Sequence, residues 1–115
     1  MNNPHQLIIF RESIELIQLV NAMGFGSGFG DLERQLKKAA LSVSSNIAEG
    51  ALMSSAGFRK HLVIARGSVN EAEAQLKVLA ALGRIGDEHP AHELSRRIGK
   101  RISCLIKRIE AGGSG

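Results

Sequence analysis

Apolar positions recur every three or four residues along most of the chain, which is the spacing of an amphipathic helix rather than of a strand. Clusters of glycine and proline interrupt this pattern at three places. The pattern predicts four helices, at about residues 6–23, 31–49, 55–82 and 90–111, in one domain over residues 1–111. Because the connections are short, we predict an all-α, antiparallel up-down-up-down four-helix bundle. Residues 112–115 (GGSG) are expected to form a flexible tail.

The polar residues between the apolar ones predict which sides of the helices face water and where the helices begin. In the first helix, Glu12 and Glu15 are expected to face outward. Asp31 is the expected N-cap of the second helix, and Ser54 or Ser55 that of the third, because their side-chain oxygens can accept hydrogen bonds from free helix N–H groups.

Residues 35–50 (QLKKAALSVSSNIAEG) are the least generic stretch of the chain. An apolar helical stripe continues through Val43 and Ile47, but serine and asparagine lie between these two positions. Such side chains compete for backbone hydrogen bonds and weaken a helix interior. The chain therefore either ends a helix here or needs polar groups at a packed surface. We expect Asn46 and Glu49 to form a hydrogen-bonded joint, within one subunit or between subunits.

The fourth predicted helix has two distinct faces. Six apolar residues fall within an arc of about 120° on a helical projection, and six basic residues fall within a separate arc of about 140°. The apolar residues are Leu94, Ile98, Ile102, Leu105, Ile106 and Ile109. The basic residues, which we call the basic face, are Arg96, Arg97, Lys100, Arg101, Lys107 and Arg108.

The distribution of charge along the chain makes the basic face a candidate functional surface. The chain has a formal net charge of +4, yet residues 1–90 carry equal numbers of basic and acidic side chains. The whole excess therefore lies in residues 91–115, which favours an acidic partner such as RNA or DNA. A solvated face that only aids solubility is the alternative.

Composition narrows the class of protein further. Aromatic residues make up 3% of the chain and all are phenylalanine, which argues against modules that stack bases on surface aromatics. A single cysteine permits no internal disulfide, and no apolar run reaches the ~20 residues of a membrane span. We therefore expect a cytoplasmic protein without a membrane partner.

The residues that commonly carry catalysis or bind metals form no recognisable constellation. His89 and His92 could be half of a metal site, but the sequence has no second ligand pair to complete a carboxylate-bridged diiron bundle. Cys104 sits among Ile102, Leu105 and Ile106 and is expected to be a buried or boundary thiol. The glycine-rich stretch 24–30 lacks the spacing of a phosphate-binding loop and is expected to be a flexible connector. We expect no enzyme activity, no metal and no cofactor.

Several motifs together resemble one known family. They are residues 35–40 (QLKKAA), residues 45–50 (SNIAEG) and the third-helix pattern F-x-x-x-L-x-I-A-x-G-S-x-N-E over residues 58–71. The chain resembles the four-helix bundle proteins encoded by intervening sequences in bacterial 23S ribosomal RNA genes. It departs from the family at Ser44, where proline is usual, so we expect the second helix to continue there. After Gly50 the family is often basic, whereas this chain has ALM at residues 51–53.

The resemblance implies an antiparallel bundle that assembles into a homopentameric ring. It also implies kinship with the accessory variability proteins of diversity-generating retroelements, which associate with a reverse transcriptase and nucleic acid. Six motif residues are expected to serve structure or assembly, and small Gly67 is expected to let another helix approach. They are Asn46, Glu49, Gly50, Gly67, Ser68 and Glu71.

Two functions follow as hypotheses. The first is a non-enzymatic homo-oligomer that binds RNA or DNA backbone through the basic face, with a reverse transcriptase as a candidate partner. The second is a protein–protein scaffold with no nucleic-acid role, whose basic face docks an acidic partner or keeps the assembly in solution.

Overall fold

The computed structural model describes residues 1 and 3–113, and four helices make up most of that range. They are α1 (Pro4–Asn21), α2 (Gly30–Gly50), α3 (Ser55–Ala81) and α4 (Pro90–Glu110). No strand occurs within the described range. The protein measures 47 × 21 × 19 Å, a rod little longer than the ~40 Å expected of a 27-residue helix such as α3. The predicted all-α fold with four helices is confirmed.

The helices form a square in which each packs against two neighbours. α1 and α3 each contact both α2 and α4, and among the described residues the diagonal pairs α1–α3 and α2–α4 make no contact. Gln35 near the start of α2 meets Gln75 near the end of α3. Arg59 near the start of α3 likewise donates to Glu110 at the end of α4, with 3.0 Å between Nε and Oε2. Neighbouring helices are therefore antiparallel, as expected of a bundle with short connections.

The helix starts agree only in part with the capping prediction. Ser54 caps α3, because its Oγ accepts from the Gly57 N–H at 3.3 Å. Asp31 does not cap α2: the cap position is Phe29, which makes no side-chain capping bond, and Asp31 lies in the first turn, two residues after the cap, paired with Arg34. A carboxylate in the first turn still interacts favourably with the helix dipole, so the same residue type suits either position.

Two glycines in left-handed conformation end α3 and α4. At Gly112, with φ of +90°, the chain turns so that the Gly113 N–H donates to the Arg108 carbonyl at 2.8 Å. Gly83, with φ of +74°, ends α3 in the same way. This is the helix-terminating motif that favours glycine because other residues are strained there. Residues 112–113 therefore form a capping turn, and residues 114–115 of the predicted flexible tail lie outside the described range.

The core is almost entirely aliphatic, and α2 contributes to it along its full length. Leu36, Val43 and Ile47 of α2 are buried. The helix passes through Ser44 without a break, and the Ser44 Oγ donates to the Leu41 carbonyl at 2.9 Å. The alternative in which the helix ends at its polar stretch is therefore wrong, and the polar side chains lie instead at a packed surface.

Candidate nucleic-acid interface

The basic face of α4 lies on the outside of the bundle, opposite the buried stripe of the same helix. Leu94, Ile98 and Ile102 are buried, which fixes the rotation of α4 and turns the charged positions away from the core. Five of the six basic residues are exposed, and Arg97 is half-buried.

A carboxylate from α1 occupies one edge of this face. Glu12 accepts a hydrogen bond from Arg97 Nε at 2.7 Å, and Arg101 Nε lies 2.9 Å from its other oxygen as an ion pair without hydrogen-bond alignment. The hydrogen bond to Glu12 raises the pKa of Arg97 above its ordinary value. Glu12 is only 13% exposed, so the prediction that it faces outward is wrong. Sequence reasoning missed it because its partners lie about 85 residues away.

The remaining cations of the basic face differ in whether an acidic side chain neutralises them. Arg96 pairs with Glu93 one turn earlier on the same exposed helix surface. An exposed ion pair of this kind contributes little to stability, so Arg96 can leave Glu93 to pair with another anion. Within residues 1 and 3–113, Lys100, Lys107 and Arg108 have no acidic group at ion-pair distance. The free positive charge therefore lies at the centre of α4 on Lys100, on its side toward α1 on Arg108, and on its side toward α3 on Lys107.

A groove of about 420 Å³ runs along that side, between α3 and α4. Arg66 of α3 reaches across it, and its Nη1 lies 3.4 Å from the Ser103 Oγ of α4. Arg96, Lys100 and Lys107 line the α4 wall. Arg66 is a cation of this surface that sequence reasoning did not include, because only the α3–α4 packing shows which side of α3 it occupies.

A second, smaller groove of about 250 Å³ lies on the other side, between α1 and α4. Ile8 gives its wall an apolar part, and Lys100, Arg108 and Cys104 line it from α4. Cys104 is exposed, so the prediction of a buried or boundary thiol is wrong. It is adjacent in sequence to apolar residues, but one position on a helix turns the side chain by about 100°, which places Cys104 among the cations.

The other candidate region is the contact between α2 and α3, which we call the α2–α3 seam. Asn46 Nδ2 donates to the Ser42 carbonyl at 2.9 Å and lies 3.2 Å from the Ser42 Oγ. The Asn46 oxygen therefore faces His61 as an acceptor, so the His61 Nδ1 carries the hydrogen of their 3.0 Å contact. Ser42 Oγ also lies 2.8 Å from Ser68 Oγ. The seam is thus a chain of hydrogen bonds that joins the two helices.

Gly50 allows this seam to close at the end of α2. A Cβ at this position would lie 2.7 Å from the His61 Cβ and 3.0 Å from the Phe58 ring. Both distances are shorter than normal packing permits, so any larger residue must push α2 and α3 apart. The motif glycine is therefore required by close packing, and its backbone conformation is ordinary.

The other motif residues lie on the outside of the same two helices. Glu49 is exposed and makes no hydrogen bond or ion pair within the described part of the chain. Glu71 is exposed and lies 3.5 Å from the Gln75 amide. A Cβ on Gly67 would meet nothing within 4 Å, so no helix of this chain approaches it closely, contrary to what its small size suggested.

His89 and His92, the candidate metal ligands of the sequence, lie at the start of α4. Residues 1 and 3–113 contain no group of three or more His, Cys, Asp or Glu side chains that could hold a metal ion. His89 instead caps α4, since its Nδ1 accepts from the Ala91 N–H at 3.1 Å. None of the helices in the described range is both long and apolar enough to cross a membrane.

Comparison with known proteins agrees with this fold. A family model described as 23S rRNA-intervening sequence protein matches residues 5–107. The chain also resembles a solved structure described as a protein with unknown function from the S23 ribosomal protein family of Bacteroides thetaiotaomicron. The two share 25% sequence identity and a TM-score of 0.78 over 90% of this chain and 98% of that one. A search of curated proteins gave no match. The chain belongs to the family of 23S rRNA-intervening sequence proteins.

Proposed function

We propose that this protein is a non-enzymatic, homo-oligomeric bundle that binds the phosphate backbone of RNA or DNA through the outer surface of α4. The observation that carries the proposal is the cluster of exposed cations with no acidic partner in the described structure, namely Lys100, Lys107 and Arg108. Cations of this kind bind nucleic acid by releasing the counterions that neutralise its phosphates.

Binding of this type would be strongly salt-dependent and weakly selective for sequence. Lys100, Lys107 and Arg108 project from one helix, and in the described structure no side-chain hydrogen bond or ion pair fixes them in an orientation suited to a base edge. Backbone contacts position a protein on nucleic acid without reading its sequence. We therefore propose association with nucleic acid of many sequences, in the cytoplasm and with no membrane partner.

The homo-oligomeric part of the proposal is supported by the opposite side of the bundle. The outward surfaces of α2 and α3 expose Leu41, Ile64 and Val78, and Leu82 at the C-cap of α3 is exposed as well. A subunit contact would remove these large apolar residues from water. The family resemblance implies a ring of five subunits and an accessory role beside a reverse transcriptase. We propose both for this protein.

A protein–protein scaffold is the second candidate function. It is favoured by the α2–α3 connection, where Leu52 is 90% exposed and Met53 is also exposed. An apolar tip of this kind suits a protein partner better than a phosphate backbone. Pull-down from native extract before and after nuclease treatment separates the two functions, because partners held through nucleic acid are lost on digestion and direct protein partners are retained.

The direct test measures binding of RNA and DNA at 50 mM and 200 mM salt by fluorescence anisotropy. We expect binding at 50 mM salt that weakens by at least tenfold at 200 mM and is lost when Lys100, Lys107 and Arg108 are all changed to Gln. Lys38→Gln is a control for the loss of a positive charge elsewhere, to be compared with Lys107→Gln alone, because α2 does not contact α4. No binding at 50 mM salt, or equal binding by the triple variant, contradicts the proposal.

The assembly has its own test. Sedimentation velocity at micromolar concentration is expected to give a single species near five times the 12.3 kDa chain mass. Ile64→Lys places a charge on the outward surface of α3 and is expected to shift this species toward monomer while the helical circular dichroism stays the same. A wild-type monomer rules out the homo-oligomeric part alone.

A further inference from the structure

The cations of the α4 surface divide into two groups with different surroundings. On the α1 side, Arg97 and Arg101 share the nearly buried carboxylate of Glu12 and hold α1 against α4. Three cations have no acidic partner in the described structure: Lys107 on the α3 side, Arg108 on the α1 side, and Lys100, which lines both grooves. A nearly buried carboxylate therefore offsets part of the positive charge on the α1 side, where two of the arginines are already engaged.

The α3–α4 groove brings cations from two helices to opposite walls. Arg66 comes from α3, and Arg96, Lys100 and Lys107 come from α4. The acid in the groove lining is Glu73, which lies 3.6 Å from Lys77 on its own helix. The groove as a whole is therefore positive, and it is open enough, at about 420 Å³, to admit a phosphate group.

The polar groups in this groove also suit phosphate oxygens. Ser103 supplies a hydroxyl and Asn70 an amide, both of which can donate hydrogen bonds, and Ser103 is already within reach of Arg66. From Arg96 to Lys107 the α4 wall runs for about 16 Å at 1.5 Å per residue. A straight row of that length can follow several successive phosphates of one strand.

The position of the aromatic residues decides between single-stranded and double-stranded partners. Proteins that bind single strands stack the exposed bases on surface aromatic side chains. The chain has no Trp or Tyr. Phe25 and Phe58 are buried, Phe10 and Phe29 are half-buried against the core, and none lines the α3–α4 groove. A duplex needs no such platform, because its bases are already stacked on one another.

We propose that the α3–α4 groove binds the sugar–phosphate backbone of double-stranded nucleic acid, with Arg66 as a binding residue contributed by α3. This inference rests on the proposed function and specifies its ligand. DNA and RNA duplexes share the phosphate chemistry on which it depends.

Two variants test the groove by different means. Arg66→Gln removes one cation, and Arg34→Gln on α2 is its charge-matched control, since Arg34 is exposed and pairs only with the neighbouring Asp31. Gly99→Gln fills the groove without changing charge. A Cβ at Gly99 would lie 3.5 Å from Val69, an ordinary contact, so the fold should accept the change. Circular dichroism and thermal unfolding verify that all variants fold.

The experiment measures fluorescence anisotropy of 20-base-pair DNA and RNA duplexes and of their separate strands over a series of salt concentrations. We expect tighter binding of duplex than of either strand. Arg66→Gln should weaken duplex binding about tenfold and reduce the slope of log K against log salt by about 0.9. Gly99→Gln should weaken binding to a similar extent, whereas Arg34→Gln should match the wild type.

Different failures have different meanings. Absence of binding to every duplex and strand at low salt overturns the proposed function itself. Binding that prefers single strands, or that is unchanged in both Arg66→Gln and Gly99→Gln, leaves the proposed function standing and overturns the assignment to this groove. A difference between the DNA and RNA duplexes identifies which source of the shared backbone chemistry the groove accepts.

Discussion

The α2–α3 seam and the α4 surface use polar residues in opposite ways. In the seam, Asn46, Ser42 and Ser68 are uncharged, half-buried and hydrogen-bonded within the chain. On α4, Lys100 and Lys107 are charged, exposed and without acidic partners in the described structure. Polar groups that already have partners inside the protein mainly hold the fold together, whereas unpaired surface cations remain available to a ligand. Changes in the seam should therefore affect stability, and changes on α4 should affect binding.

The largest expected effect on stability comes from closing the seam with a bulkier residue. Gly50→Val should destabilise the protein by about 3 kcal/mol or more, because its Cβ would overlap His61 and Phe58 and overpacking of this kind is costly. Urea unfolding followed by circular dichroism measures the change.

Gly67→Ala is the matched control for this substitution. Gly67 is also a helical glycine, but its added Cβ meets nothing within 4 Å. Alanine there should stabilise α3 by about 0.5–1 kcal/mol through its higher helix propensity. If Gly50→Val is as stable as the wild type, the seam is not closely packed.

Glu12 combines the two roles at a third place, the α1–α4 contact, since it neutralises part of the basic face while joining α1 to α4. Glu12→Gln should cost about 1–3 kcal/mol, because Arg97 and Arg101 lose the charge that both contact. Glu15→Gln is the control, since Glu15 is exposed. Equal stability of the two variants would show that the Glu12 cluster does not hold the helices together.

Removing the seam asparagine should have a moderate effect. Asn46→Ala should lower the free energy of unfolding by about 1–2 kcal/mol, since it leaves His61 and Ser42 without their shared partner. Duplex binding by the folded variant should be unchanged.

Glu49→Ala gives the matched comparison for Asn46→Ala. Glu49 makes no contact of this kind within the described structure, so the free energy of unfolding should change by less than about 0.5 kcal/mol. Loss of assembly in sedimentation by Glu49→Ala alone would assign Glu49 to a subunit contact. If Asn46→Ala is fully stable but binds duplex poorly, the division between seam and surface is wrong.

A small effect is also expected at the start of α4 at acidic pH. Burial lowers the pKa of His89, and nearby His92 lowers it further. The unfolded chain therefore takes up a proton more readily, so this contribution to stability is present above about pH 6.5 and declines as the pH falls. Protonation of Nδ1 also removes the acceptor of the Ala91 N–H.

Hydrogen exchange measured at pH 7.5 and pH 5.5, after correction for intrinsic rates, detects this effect. The first turn of α4 should lose protection corresponding to at most about 1 kcal/mol, while the α2–α3 seam keeps its protection. In His89→Asn the loss should be smaller, because asparagine caps the helix at either pH. Equal loss in the variant and the wild type would contradict the role of His89.

Much of this fold could be predicted from local pattern. The two arcs of α4 follow from a spacing of about 100° per residue, and the structure buries Ile98 and exposes Lys100 accordingly. Gly83 ends α3 as its position suggested. Such features depend on residues within one or two turns of each other, so the sequence contains the information directly.

Features that depend on contacts between residues far apart in the sequence could not be predicted from local pattern. Glu12 looked like an outward carboxylate, and its role requires the rotation of α1 against Arg97 and Arg101. The joint between Asn46 and His61 likewise depends on how α2 and α3 are aligned. Arg66 joins the candidate interface for the same reason, because α3 turns it toward α4.

The most direct test compares two double variants with the same change of charge, one within the proposed binding surface and one outside it. One is Lys100→Gln with Lys107→Gln on α4, and the other is Lys38→Gln with Lys60→Gln on α2 and α3. The measured quantity is the slope of log K against log salt for a 20-base-pair duplex. The α4 pair should reduce the magnitude of the slope by about 1.8 relative to wild type, and the other pair should leave it unchanged. Equal slopes for the two double variants would contradict the claim that nucleic acid binds on α4.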